Sequence, residues 1–99
     1  MSSLDILVTY DVETQEKSGQ RRLRKVATIC QNYGQRVQKS VFECRVTQSQ
    51  LEDMEHQLLK VIDKERDSLR IYLLYGDRNR VTRVYGRDDY IDYDAPIIL

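Results

Sequence analysis

Tryptophan is absent from these 99 residues, and histidine, phenylalanine and proline occur once each. The two cysteines, Cys30 and Cys44, lie within apolar patterns and not at C-x-x-C spacing. They read as reduced core thiols of a cytoplasmic protein, not as a disulfide framework. No apolar run is long enough to cross a bilayer. A basic start followed by an apolar core is missing from the N-terminus, so no secretory signal is expected. The single histidine, His56, falls between Met54 and Leu58 in a helical pattern and is expected to have no catalytic part. No internal repeat or low-complexity linker is visible. The length is that of one domain, 40% of it apolar. A domain this small buries only roughly two-thirds of its unfolded surface, so association would add useful burial.

Net charge is also absent, with 16 basic residues against 16 acids, but the charges are unevenly spread. Residues 17 to 42 hold seven Lys/Arg and no acid. Residues 41 to 68 hold four bases and seven acids. A nucleic-acid protein needs a basic face more than a high isoelectric point, although a solvated helix face is the commoner reason for a charge run. Directly before the basic window stand Asp11, Glu13 and Glu16, and Asp11 ends the apolar run Leu4–Tyr10. A concentrated basic surface beside a strand-end carboxylate suits a phosphodiester-binding, metal-using site. Cations hold phosphates, and a carboxylate holds a hard cation.

Apolar periodicity orders the elements. Leu4–Tyr10 reads as a central strand buried on both faces, and Asp11–Gly19 as a loop. Leu23, Val26, Ala27, Cys30 and Tyr33 repeat at helical spacing, with Gly34 as a C-terminal stop. In Gln35–Val46, Val37 and Val41 fall on one face and Phe42, Cys44 and Val46 on the other. That change of face predicts a turn or bulge near Lys39–Ser40. Thr47–Gln50 forms a capping-box pattern ahead of a second helix through Leu51, Met54, Leu58, Val61 and Ile62. Leu69–Tyr75 is a further strand. The order β-α-β-β-α-β predicts an α+β, ferredoxin-like domain: a four-stranded antiparallel sheet with two helices on one face. Arg80–Tyr85 reads as an additional C-terminal strand, so residues 1–85 are expected to form the domain and 86–99 a docking tail. A strand added to a complete four-strand module is expected to pair with a partner's sheet edge, giving a homodimer. The greasy end Ile97-Ile98-Leu99 is expected to dock on a partner.

Val8-Thr9-Tyr10-Asp11-Val12, the Arg-rich first helix, and Gly34-Gln-Arg-Val-Gln-Lys-Ser-Val-Phe-Glu43 resemble the small CRISPR-associated second adaptation protein family. The resemblance covers nearly the whole chain, and its second motif is quite specific. It implies a ferredoxin-like homodimer that is a metal-dependent endonuclease and the scaffold of spacer integration. It also implies an integrase subunit as partner in a heterohexamer-type complex, and DNA or RNA as ligand. The family's strand-end aspartate falls on Asp11 and its preceding tyrosine on Tyr10, the implied catalytic pair. Its helix arginines fall on Arg22 and Arg24, with Arg21 as a substitute, and the arginine after the helix falls on Arg36. Its second-motif serine and phenylalanine fall on Ser40 and Phe42. With Lys25 and Lys39 these form the implied nucleic-acid contacts. Where many members carry a second acid, this chain offers only Glu13 nearby.

One aspartate per chain cannot hold Mg²⁺, which takes about six oxygens. A two-fold axis near Asp11 would bring two carboxylates to one shared ion. Other readings are a non-catalytic nucleic-acid scaffold of the same fold and a small-ligand sensor. An RNA-recognition domain is disfavoured, because its aromatic strand motif is missing around Ser40–Glu43. Tyr10 and Phe42 are commonly core aromatics, and Asp11 could equally cap a turn.

Overall fold

Strand β1 (Leu4–Asp11) forms where the sequence alternates, burying Ile6, Val8 and Tyr10 on one face. The computed structural model describes residues 2–91. Helix α1 (Lys17–Tyr33) follows, then β2 (Gly34–Gln38), β3 (Val41–Val46), α2 (Gln48–Val61) and β4 (Ser68–Leu74). The sheet order is β2-β3-β1-β4, with every neighbouring pair antiparallel. This is the expected ferredoxin-like arrangement. Both helices pack on the face carrying Ile6, Val8, Phe42, Cys44 and Val46, and bury Val26, Cys30, Leu51, Met54 and Leu58 against it. On the other face β1 is only half-buried at Leu7 and Thr9, so the expected two-sided burial is incomplete. Among the described residues no helix is long and apolar enough to cross a membrane.

The predicted switch near Lys39–Ser40 is a tight turn, and the β2–β3 register also shifts between Arg36 and Gln38. That extra residue lets Arg36 and Phe42 share a face while Val37 leaves it. The capping box is present: Thr47 Oγ1 accepts from Gln50 N at 3.2 Å, and Gln50 Oε1 accepts from Thr47 N at 2.9 Å.

Three expectations need correction. Helix α1 starts at Lys17, not after Gly19. Gly19 lies buried in its first turn, where an added Cβ would collide with the Glu13 carbonyl oxygen, so this glycine serves a close approach and not a loop. Gly34 does end α1, but in extended backbone as the first residue of β2. A Cβ there would strike Cys44 Sγ and the Glu43 carbonyl. The expected strand Arg80–Tyr85 is not one within this chain: α3 (Arg78–Val81) is a single helical turn, and residues 82–91 have no regular structure. Asp77 caps that turn by accepting from Asn79 N at 3.0 Å. Arg78 is drawn inward to the buried Glu43, which turns the segment across the sheet instead of along its edge.

Candidate nucleic-acid interface and metal site

Asp11 is the last residue of the central strand, exposed and opposite Ser68 of β4. Alternation puts it on the face away from the helices, with Thr9, which pairs with Arg70. The same end of the sheet carries the Lys39–Ser40 turn and the start of α1. Helix α1 has no acid in its first turn to offset its positive dipole end. Arg21, Arg24 and Lys25 are exposed along it and line a groove of about 460 Å³ floored by Thr28, Ile29 and Val61. A strand-end carboxylate and a cation-rich helix start thus lie at one end of the fold.

Arg22 does not join that exposed set. It is expected from the sequence as a phosphate contact, but it forms a two-point ion pair with Asp67, Nε–Oδ2 2.8 Å and Nη2–Oδ1 3.2 Å. The Asp67 side chain is fully buried and also accepts from Glu13 N at 3.2 Å and Asp63 N at 2.8 Å. The Arg22 guanidinium is the main cause holding the Asp67 carboxyl below its ordinary value of 3.8, with these backbone donors adding to it against the opposing effect of burial. Arg22 is therefore committed to fixing α1 onto the loop before β4. The second-acid candidate Glu13 lies on the loop after β1, held to Asp67 through its backbone N–H, with its side chain exposed.

Tyr10, Arg36, Ser40 and Phe42 do come together, on the helix side of the sheet. Tyr10 and Phe42 stack with centroids 6.2 Å apart, and the Arg36 guanidinium lies 5.2 Å over the Phe42 ring. Tyr10 N donates to the Ser40 carbonyl at 3.2 Å. Phe42 is completely buried, so it is a core residue and not a platform for a base. The Tyr10 hydroxyl is pushed above 10.0 by burial, with Arg36 opposing the shift, so at neutral pH it is protonated and no general base. It also lies across the sheet from Asp11, so the two adjacent residues act on opposite faces. Arg36 keeps an exposed position at the rim of this cluster, and Lys39 is exposed at the turn. Ile97, Ile98 and Leu99, the expected docking end, lie outside the described residues.

The donor set tests the metal expectation. Among the described residues, no three His, Cys, Asp or Glu side chains gather closely enough to hold an ion. Asp11 brings one carboxylate, and its strand neighbours on that face are hydroxyl residues. One chain by itself does not fit Mg²⁺.

Three residues that matter here were not singled out from the sequence. Asp67 needed long-range pairing to reveal its role. Glu43 and Arg78 form a buried ion pair, Nε–Oε2 2.6 Å, and Arg78 stacks 3.4 Å from the Tyr90 ring centroid. A charge between Phe42 and Cys44 was the available signal for Glu43.

A model of the CRISPR associated protein Cas2 family matches residues 5–82. The chain is 52% identical over 94 residues to the CRISPR-associated endoribonuclease Cas2 1 of Moorella thermoacetica, covering 95% of this chain and 98% of that one. It is 50% identical over 93 residues to the CRISPR-associated endonuclease Cas2 of Halalkalibacterium halodurans, covering 94% and 97%. Among solved structures it resembles Cas2 of Streptococcus pyogenes at pH 6.5, with TM-score 0.74, 49% identity and coverage of 83% and 99%. With this fold, these relatives and the strand-end aspartate in place, the chain belongs to the CRISPR associated protein Cas2 family.

Proposed function

We propose that two copies of this chain form a homodimer that binds nucleic acid and scaffolds an integrase subunit in CRISPR adaptation. On this reading it also carries a magnesium-dependent endonuclease activity on RNA or DNA. The observation that carries it is Asp11, exposed at the end of the central strand beside the acid-free start of α1. The names of the relatives, endoribonuclease and endonuclease, support phosphodiester cleavage as the reaction class.

Dimerisation is supported by the exposed edge. Among the described residues, strand β4 has no neighbour on its outer side. Tyr72 and Leu73 on it, and Tyr75, Val84 and Tyr85 after it, are exposed. An unpaired edge with such apolar surface is stabilised by a second copy. A dimer also answers the metal count, because two Asp11 carboxylates supply oxygen donors that a single chain lacks. The chemistry such an ion supplies when bound is charge neutralisation on a phosphate and a water of lowered pKa. Arg21, Arg24, Lys25, Arg36 and Lys39 supply sequence-independent phosphate contacts.

The lone carboxylate favours a second reading, a scaffold that binds without turnover. Asp11→Ala separates the two. Loss of magnesium-dependent cleavage with dimerisation, nucleic-acid affinity and spacer capture intact assigns Asp11 to chemistry and leaves the scaffold as the physiological role. Cleavage that survives Asp11→Ala removes Asp11 from the reaction. A wild-type chain that is monomeric at micromolar concentration and ignores nucleic acid at low salt defeats the proposal.

A further inference from the structure

The backbone around Asp11 is pinned on both sides. Its neighbours Tyr10 and Val12 are buried in the core, and Tyr10 N donates to the Ser40 carbonyl at 3.2 Å. Beyond Val12, Glu13 N donates to Asp67 Oδ1 at 3.2 Å. Asp67 also directly precedes Ser68, the β4 residue opposite Asp11. It therefore reaches Asp11 by two routes, through the loop after β1 and across the strand pair. The Asp67 carboxylate is saturated. Oδ1 also accepts from Arg22 Nη2 at 3.2 Å, and Oδ2 accepts from Arg22 Nε and Asp63 N, each at 2.8 Å. An ionised carboxylate offers about four acceptor sites, and four donors fill them. Its side chain is fully enclosed, so Asp67 has nothing left for an ion, a water or a substrate proton. What it can do is hold still the backbone next to Asp11.

We propose that Asp67, oriented by the Arg22 fork, is a positioning residue for Asp11: its hydrogen bond to Glu13 N fixes the loop that fixes the strand-end carboxylate. The inference rests on the nuclease reading above and deepens it. Asp11 is the last residue of its strand, and backbone at the end of an element opens locally at little cost. A side chain that must meet a scissile phosphate loses rate steeply when displaced, about a hundredfold for a 1 Å error. Such a group works when a surrounding shell locks it in place. An ionised acceptor holds an N–H roughly twice as strongly as a neutral one. The two-point Arg22 contact keeps Asp67 Oδ1 aimed at Glu13 N. Arg22 thereby serves the site without touching a ligand, whereas the exposed Arg21 and Arg24 add salt-dependent affinity.

The test compares the full-length wild type with Asp67→Ala, Asp67→Asn, Arg22→Gln and Arg24→Gln, all below the melting temperature of the weakest variant. Cleavage of labelled RNA and DNA in magnesium buffer gives kcat and KM. Asp67→Ala should lower kcat about ten- to a hundredfold with KM unchanged. Asp67→Asn keeps an oxygen for Glu13 N but turns an NH2 group toward its other donors, so its loss should be smaller. If Asp67→Ala does not fold, Asp67→Asn carries the comparison. Amide exchange followed by NMR should speed up at Glu13 in both variants, while Ile6 and Val8 stay protected. A purely structural role would speed all three together and overturn the inference. Arg22→Gln should lower kcat and leave the log–log salt slope of binding unchanged, whereas Arg24→Gln should reduce that slope by about 1. A reduced slope in Arg22→Gln makes Arg22 a phosphate contact and overturns its positioning role. Wild-type kcat in the Asp67 variants overturns the inference and leaves the nuclease reading standing. Wild type that cleaves neither probe overturns the nuclease reading, and the inference with it.

Discussion

Arg22 and Asp67, 45 residues apart in sequence, meet through two hydrogen bonds in which the carboxylate is fully enclosed. The pair ties the start of α1 to the residue before β4, and Glu13 N joins from the loop after β1. Asp67 thus gathers three segments that converge on the end of the sheet holding Asp11. Its position explains why one of four clustered helix cations is not available to a ligand.

Acid stability should follow from this pair. The Asp67 carboxyl is held below 3.8 in the folded chain, chiefly by Arg22. A depressed folded pKa contributes stability that is complete above the unfolded value and is lost as pH falls through the folded value. Melting temperature should therefore be flat with respect to this group near neutrality and decline below about pH 4. Asp67→Asn should lower the melting temperature at pH 7 by about 5–10 °C and flatten the acid limb. An unchanged acid limb, measured by circular dichroism across pH 2–7, would show that the pair is not linked to folding.

The Glu43–Arg78 pair makes a different prediction, because both partners are nearly buried. Removing one charge leaves the other enclosed without compensation, which costs roughly 3 kcal/mol or more. Glu43→Gln and Arg78→Met should each destabilise the chain to that degree in urea. Replacing both, with Glu43→Leu and Arg78→Met, should recover most of the loss, since an apolar pair of similar volume carries no desolvation penalty. Additive losses in the double variant would mean that the two side chains do not act as a unit.

Gly34→Ala tests close packing at the α1–β2 junction. The methyl group would meet Cys44 Sγ and the Glu43 carbonyl, and backbone on that side cannot yield easily. Overpacking of this kind costs about 1–3 kcal/mol. Equilibrium unfolding should register the loss, although the backbone at Gly34 is extended and open to any residue. A neutral substitution would show that β3 moves away from β2 at little cost.

These relationships mark how far the sequence could be read. Strand and helix order and the Lys39–Ser40 turn followed from apolar periodicity, and the Thr47–Gln50 box followed from local chemistry. Asp11 stood out because it ends an apolar run next to an acid-free stretch. What escaped depended on contacts between distant residues. Arg22 looks like Arg21 and Arg24 until Asp67 is placed beside it. Arg80–Tyr85 alternates like a strand, but Asp77 caps a helical turn and Arg78 is pulled onto Glu43.

Cys30 and Cys44 provide a probe of the whole core. Both are buried and free, and burial pushes their thiols up to about 11 and about 12. The thiolate is the reactive form, so at pH 8 each should be inert toward an alkylating reagent in the folded chain, whereas a free cysteine at that pH is partly ionised. Cys30 sits in α1 and Cys44 in β3, in one continuous core. Exposing either thiol requires separating helix from sheet, so the two should be labelled together and at the rate of global unfolding. Labelling followed by mass spectrometry in increasing urea should give doubly modified chains without a singly modified intermediate. Stepwise labelling of Cys30 before Cys44 would show that α1 detaches while the sheet persists.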